Sequence, residues 1–309
     1  MRIGVTVDNP DTVVDQARRA EELGFDLLGS GEHLFFHGPT PNALALLSAA
    51  AAVTERIGLV TSITLLPLYP AALVAKMSAV IDRISGGRFE LGVGAGGEYP
   101  PEFAAAGVDP ATRFRRTTEG LEVLRRLFAG GKVDYTGEFT VLEGVHLDPP
   151  PVQPGGPPIW LGGRKPGALR RAGRYADIWM PYMVEPRHIV TGLAEARSAA
   201  TEYGRNPADL SAGLLLWTAT DTDGDWARKV GTATVSTAYQ QDFAPLADRY
   251  LLLGHPDDVV ARLIEFRDAG VESVLLQLAT TDATERQRML DTLAHDVLPA
   301  LRASTPKEK

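Results

Sequence analysis

Two rhythms of hydrophobic and polar positions alternate along this chain. Short apolar runs of strand length are followed by stretches with apolar residues every three or four positions, the period of a helix with one buried face. Residues 3–7 read as the first strand. Residues 12–23 read as an amphipathic helix, with Val13, Ala17, Ala20 and Leu23 on one stripe and Gly24 as its stop. A second strand is expected over 25–28, then a helix capped by Asn42 and running to about 53. The third strand spans 57–63, with a helix over 71–84. The fourth spans 88–93, with a long helix over 112–128 that stops at Gly130-Gly131. Residues 132–157 break the rhythm with a hairpin around Gly137 and a proline-rich return. The alternation resumes with a fifth strand at 158–161 and a helix with Pro166 in its first position. Strands at 178–180, 210–220 and 273–278 come next, with helices over 186–203, 225–237, 256–269 and 283–302. An irregular stretch is expected over 239–254.

Eight strands separated by helices fit an α/β chain folded as a (β/α)8 barrel, or TIM barrel. A doubly wound sheet is the alternative. The barrel is preferred because the unusual residues fall at the C-terminal ends of the expected strands, where a barrel gathers them. The expectation is one barrel domain over 1–303, with insertions near 132–157 and 239–254 and a flexible tail over 304–309.

Composition narrows the chemistry. The 309 residues are 44% hydrophobic and 23% charged, the balance of an ordinary soluble globule. A net charge of -8 argues against general nucleic-acid binding, which needs a basic face. The absence of cysteine excludes disulfides, zinc–thiolate sites, iron–sulfur clusters and a cysteine nucleophile. The chain opens directly on a strand with no signal-peptide pattern, and its longest apolar stretch, near 43–53, is too short to span a bilayer. A cytoplasmic protein with neither nucleic-acid nor membrane partner is expected.

The strand ends carry the candidate chemistry. After the second strand come Glu32 and His33, an adjacent acid and imidazole suited to proton or hydride-linked work, or a plain surface loop. After the fourth come Gly92, Gly94, Ala95, Gly96 and Gly97, then Glu98. Gly92, Gly94 and Gly97 match the G-x-G-x-x-G dinucleotide fingerprint, but that fingerprint needs a helix starting inside it. Pro100-Pro101 argue against an immediate helix, and the motif does not open the first βα unit, so the dinucleotide reading is set aside. Glu98 is either an acid/base or cofactor contact, or a solvated loop glutamate. After the fifth strand, Gly162, Gly163, Arg164 and Lys165 precede a helix start. Exposed backbone N–H groups, a helix N-terminus and two cations make a phosphate grip, against the bland reading of a basic βα turn. Trp179 and Trp217 could wall a pocket for a flat ring or simply pack.

What is missing also counts. The chain has no lysine inside an expected strand, no H-x-H or H-E-x-x-H metal spacing and no G-x-S-x-G elbow. An aldolase, amidohydrolase or serine hydrolase is disfavoured. A phosphate grip beside a glycine wall, with few strong acids or bases, suits a protein whose bound cofactor carries the chemistry.

The chain resembles the bacterial luciferase-like flavin and deazaflavin oxidoreductases over nearly its whole length. The resemblance rests on Ala20-Glu21-Glu22-Leu23-Gly24-Phe25-Asp26, Gly87-Arg88 with Leu91-Gly92-Val93-Gly94, Pro158-Ile159-Trp160-Leu161-Gly162-Gly163, Gly173-Arg174-Tyr175-Ala176-Asp177-Ile178-Trp179, and Gly254-His255-Pro256-Asp257-Asp258-Val259. It implies a barrel with an insertion and a cofactor ring across the mouth, backed by a non-prolyl cis peptide at Ser62-Ile63. It implies an acid–histidine pair, which Glu32-His33 matches with glutamate where aspartate is more usual. It also implies a glutamate after the glycines, to which Glu98 is similar, though one extra glycine (Gly97) precedes it here. His33 and Glu98 are thereby the candidate catalytic residues. Glu32, Ser62, Ile63, Gly94, Ala95, Gly96, Gly162, Gly163, Arg164 and Trp179 are the candidate cofactor contacts. Arg164, Lys165 and Arg170 are cations for the acidic tail of the deazaflavin coenzyme F-420, which FMN lacks. The implied activity is hydride transfer between that coenzyme and a small organic substrate. The alternatives are an FMN-dependent monooxygenase fed by a separate flavin reductase, or a non-catalytic flavin-binding protein. The resemblance also implies a homodimer.

Overall fold

The computed structural model describes residues 1–304. The rest of the expected tail, 305–309, lies outside the described residues. In chain order the first elements are β1 (Arg2–Thr6), α1 (Val13–Glu22), β2 (Leu27–Ser30), α2 (Ala43–Ala51), β3 (Gly58–Thr61), β4 (Thr64–Leu65), α3 (Ala71–Ser85) and β5 (Phe89–Gly94). Next come α4 (Pro100–Ala105), α5 (Arg113–Phe128), β6 (Val133–Thr136), β7 (Val141–Val145), β8 (Ile159–Gly162), α6 (Pro166–Tyr175), β9 (Ile178–Met180) and α7 (Pro186–Glu202). The last are β10 (Ser211–Thr220), α8 (Gly224–Tyr239), α9 (Ala247–Tyr250), β11 (Leu252–Gly254), α10 (Pro256–Asp268), β12 (Val271–Leu278), α11 (Ala283–Thr292) and α12 (Leu298–Ala303).

Eight of these strands close a parallel ring in the order β1, β2, β3, β5, β8, β9, β10, β12 and back to β1. Successive side chains of a strand point to opposite faces, and two apolar clusters result. Leu27, Val60, Trp160, Ile178, Met180, Leu215 and Leu275 fill the inside of the barrel. Ile3, Val5, Leu28, Leu91, Leu161, Leu214 and Leu216 belong to the larger cluster between strands and helices. The N-terminal end of the barrel is closed by polar side chains. Arg2 Nη1 donates to Glu90 Oε1 at 2.5 Å, Arg2 Nε to Ser273 Oγ at 3.0 Å, and Trp160 Nε1 to Glu90 Oε2 at 2.6 Å.

Several residues of the family-like segments hold this frame. Asp26 accepts the Ile3 N–H at 2.8 Å, and Asp177 accepts the Ile159 N–H at 2.8 Å. In both cases a carboxylate binds the strand N–H that the ladder leaves over. Arg88 reaches back to the Ala51, Thr54 and Ile57 carbonyls, taking up acceptors beyond the end of α2. The expected hairpin is β6 paired antiparallel with β7. Its turn is tied to α5 by Glu119, which accepts from the Glu138 and Phe139 N–H groups. The proline-rich return is tied to α3 by buried Asp82, which accepts from Val152, Gln153 and the Gln153 side chain.

Several expectations are corrected. The second strand lies two residues later than expected, because the turn through Gly24 carries Asp26 to the β1 N–H before pairing begins. The third strand ends earlier than expected: β3 stops at Thr61, Ser62-Ile63 breaks it, and β4 follows at Thr64–Leu65. A helix does begin at Pro100, since prolines fit a first turn whose N–H groups have no partner anyway. The irregular stretch 239–254 contains α9 and β11, and β11 pairs with the far end of β10. The final helix is interrupted over 293–297 by a π turn ahead of Pro299, which has no N–H for the carbonyl four residues back.

Candidate active site at the barrel mouth

The C-terminal ends of the strands form a glycine-floored cup. The Ser62–Ile63 peptide is cis, as the resemblance implies. Ile63 packs against the interior cluster, and glycines on the neighbouring strands make room for it. A Cβ on Gly94 would stand 1.9 Å from Ile63 Cδ1, and one on Gly162 would stand 3.2 Å from it. A Cβ on Gly92 would stand 1.8 Å from the Thr61 carbonyl oxygen. The Thr61 hydroxyl is bonded to both the Gly92 N–H and its carbonyl, at 2.8 and 2.7 Å, which fixes β3 against β5. The glycines after β5 are therefore required by close backbone approach as well as by any ligand. The Ser62 hydroxyl oxygen is buried here without a hydrogen-bond partner.

His33 comes after β2, with its side chain 19% exposed, and its partner is an unexpected one. Its Nδ1 lies 3.2 Å from Oε2 of Glu102, a residue of α4 that is fully buried. The same oxygen accepts the Leu34 N–H at 3.2 Å, which fixes the turn that carries the imidazole. With Nδ1–H donated to Glu102, Nε2 is left with its lone pair. Phe36 stacks on the imidazole at 4.2 Å, and Phe36 and His37 lean on Tyr99. The loops after β2 and β5 thus form one unit. Sequence reading missed Glu102. Its signal is its place in the first turn of α4, behind two prolines that had argued against a helix.

Glu32 is turned into the frame. Its carboxylate accepts the Ala43 N–H at 3.1 Å, the Leu65 N–H at 3.1 Å and the Asn42 amide at 3.2 Å. It holds the start of α2 to β4, and the bonds the structure shows for it are ones of support. Burial raises its carboxyl above the ordinary carboxylate range, with the Glu102 charge adding to the effect and the two N–H bonds opposing it. Glu98 is exposed on the glycine loop. Its charge reaches Tyr182 and Tyr239 across the mouth, while the carboxylate on His33 is that of Glu102.

The anion grip is differently composed from the expected one. No side chain caps the first turn of α6, which begins behind Gly162-Gly163. Arg164 donates to the Tyr182 and Met183 carbonyls at 3.2 and 2.6 Å, and Arg170 pairs with Glu202 of α7 at 3.1 Å. Arg170 remains more than half exposed in that pair. Two arginines that sequence reading passed over stand closer to the glycines. Arg113 has its Nε 2.9 Å from the Cβ position of Gly97, and Arg171 folds back over the first turn of α6 toward Gly167. They flank Phe114 at 4.3 and 5.3 Å. The Nε atoms of both are buried without a hydrogen-bond partner, and burial lowers the Arg171 guanidinium from its usual value. The unspent Arg171 Nε near the open start of α6 fits a phosphate, while Arg113 stands against Gly97 of the loop after β5 and donates from Nη1 to the Pro110 carbonyl. Outside them, a groove of about 410 Å³ is lined by Arg164, Lys165, His188, Arg249 and Glu195 among others.

Trp179 faces away from the barrel interior and borders the groove beside Arg164 and Lys165. It lies on the outer face of β9, 2% exposed, against Gly192 of α7, and its indole N–H donates to the Gly163 carbonyl at 2.8 Å. It shapes the glycine turn from behind. The aromatic wall of the mouth is instead Tyr182, Trp217 and Tyr239, with Trp217 Nε1 donating to the Tyr182 hydroxyl at 2.6 Å. Among the described residues no group of three or more His, Asp or Glu side chains is arranged for a metal ion, and no helix is long and apolar enough to cross a membrane.

This geometry has known counterparts. The chain is 27% identical over 324 residues to an F420-dependent glucose-6-phosphate dehydrogenase of Amycolatopsis mediterranei, covering 95% of each chain. Its fold matches the monooxygenase RslO1 from Streptomyces bottropensis with a TM-score of 0.85 at 26% identity, over 97% of this chain and 99% of that one. It matches the fold of an F420-dependent secondary alcohol dehydrogenase, solved with an F420–acetone adduct, with a TM-score of 0.83 at 24% identity over 97% and 99%. The family model for luciferase-like monooxygenases matches residues 2–273, and the chain belongs to that family.

Proposed function

We propose that the protein is an oxidoreductase that binds the deazaflavin coenzyme F-420 across the barrel mouth and acts on a small organic substrate. The observation that carries this reading is the His33–Glu102 pair at the rim of a glycine-floored cup. When bound, the coenzyme supplies a centre that accepts or donates hydride. The chain's residues do the rest. Ile63, Gly94, Ala95, Gly96 and Gly162 form the surface on which a flat ring lies. Gly163, the first turn of α6 and Arg171 hold the phosphate. Arg164, Lys165 and Arg249 line the groove that receives an acidic tail, which favours the deazaflavin over FMN. His33 Nε2 takes or returns the proton that accompanies hydride transfer, with Glu102 holding the ring in the tautomer that leaves this nitrogen basic.

The likeness to RslO1 favours a second reading, an FMN-dependent monooxygenase served by a separate flavin reductase. A paired fluorescence titration of the cofactor-free protein with coenzyme F-420 and with FMN separates the two. The expected result is tight deazaflavin binding and much weaker FMN binding. Tight FMN binding with oxygen consumption would move the assignment to the monooxygenase, and binding of neither would remove both. Two copies of the chain are proposed to pair through α3, whose Leu73, Val80 and Ile84 are 47, 38 and 48% exposed along one stripe.

A further inference from the structure

Tyr182 lies just beyond β9 and packs on the interior cluster beside Ile63, while Tyr239 ends α8. Their hydroxyl oxygens are 2.5 Å apart, and Trp217 Nε1 donates to Tyr182 from β10. These three groups carry three polar hydrogens: one indole N–H and two phenol O–H. They make two hydrogen bonds among themselves. Whichever phenol donates to the other, one O–H hydrogen is left over. Both tyrosines are partly exposed, so a ligand at the mouth can reach this hydrogen.

We propose that Tyr182 and Tyr239 form the oxygen-recognition element of the active site, donating this hydrogen bond to the carbonyl or hydroxyl oxygen of a neutral substrate. The inference rests on the hydride-transfer reading for the chemical step after binding, although binding itself can be tested without it. Burial raises both phenols above the ordinary phenol range, and the Glu98 charge adds to this, so both stay protonated donors at neutral pH. Among the described residues the only non-glycine positions with left-handed backbone are Met183 and Gln240, each at φ 51° and each directly after one of the two tyrosines. Gln240 is the left-handed cap that ends α8, an ordinary helix stop, so Met183 is the informative one. Such backbone persists where its surroundings over-determine it, and it clusters at functional sites. At Met183 the surroundings include the Arg164 guanidinium, bound to the carbonyls of both Tyr182 and Met183.

The same wall sets the polarity of the substrate. Tyr239 meets Trp217 edge-on at 6.4 Å and Phe243 at 5.5 Å. A ketone or secondary alcohol finds a donor here in an apolar frame.

The test is a set of binding titrations of the full chain without cofactor, followed by calorimetry. The probes are cyclohexanone and cyclohexene. The proteins are wild type, Tyr182→Phe, Tyr239→Phe and the triple variant Tyr182→Phe/Trp217→Phe/Tyr239→Phe, in which the indole N–H that loss of the phenols would set free is removed as well. Each is checked by thermal melting and by its affinity for coenzyme F-420. Wild type is expected to favour cyclohexanone over cyclohexene by about tenfold, the equivalent of one good hydrogen bond. Each single variant keeps a free polar hydrogen and part of the preference. The triple variant has none, and its two affinities should agree within about twofold while its coenzyme affinity is unchanged. No ketone preference in wild type, or a preference that survives the triple substitution, would each overturn the proposal. A wild-type protein that shows the ketone preference but does not bind the deazaflavin would leave the phenol pair standing and remove the cofactor reading.

Discussion

At the scale of single residues, the proposed site rests on a carboxylate that is itself fully buried. Glu102 is fully buried and serves His33 and the Leu34 N–H with one oxygen. The imidazole therefore has a fixed orientation before any ligand arrives. Replacing His33 with alanine is expected to lower kcat by about 10²–10⁴-fold, the usual contribution of a positioned acid or base. Glu102→Gln should retain the ring position but weaken its hold on the tautomer, so kcat falls less and its pH profile shifts, with coenzyme affinity unchanged. Stopped-flow turnover across pH reads both, and a Glu102→Gln enzyme with the wild-type profile would exclude the pairing as functional. The sequence made His33 legible because an adjacent acid and histidine at a strand end is a compact pattern. It did not reveal which carboxylate would serve it. Glu98 and Glu102 are both glutamates just beyond the glycines, and only the helix starting at Pro100 turns one inward and leaves the other exposed. Arg113 and Arg171 were hidden for a similar reason, since an arginine on a helix gives no sign in one dimension that its Nε will be buried without a partner.

At the scale of elements, the clearest relation is between β3, β4 and β5. Ile63 occupies space that side chains at 94 and 162 would otherwise need. Gly94→Ala forces a contact of 1.9 Å with Ile63 Cδ1, and overpacking of that kind costs about 1–3 kcal/mol. The expected outcome is a lower melting temperature together with a loss of ring affinity, because Ile63 must move from the surface proposed to carry the ring. A variant with unchanged melting and unchanged affinity would show that Ile63 has room the structure does not give it. Most elements could be read in advance. Asn42 caps α2 by accepting the Ala45 N–H at 2.9 Å, and Pro166 and Pro256 stand in first helical turns. Those signals are local, and local chemistry decides them. The misplaced boundaries were set by distant partners. The start of the second strand depends on Asp26 reaching β1, and β11 is a strand because the end of β10 offers it an edge. The segments that carry the family resemblance belong largely to this framework. Arg88, Asp26 and Asp177 bind strand and helix ends, so these segments identified the fold more directly than the chemistry.

At the scale of the whole molecule, charge and apolar surface are unevenly placed. The exposed stripe on α3 is the kind of surface a partner subunit covers. Leu73→Glu with Val80→Glu is expected to reduce the mass measured by light scattering from that of two chains to that of one. A wild-type protein that already runs as a single chain would remove the proposed pairing. Below the mouth, the Arg2–Glu90–Trp160 cluster makes the barrel a cup with a solid base. A cup divides its labour between depth and lip. Changes to the base alter whether the vessel holds together, whereas the loops around the lip can drift without loosening it. Relatives sharing this vessel could therefore come to handle quite different guests by rewriting the lip alone.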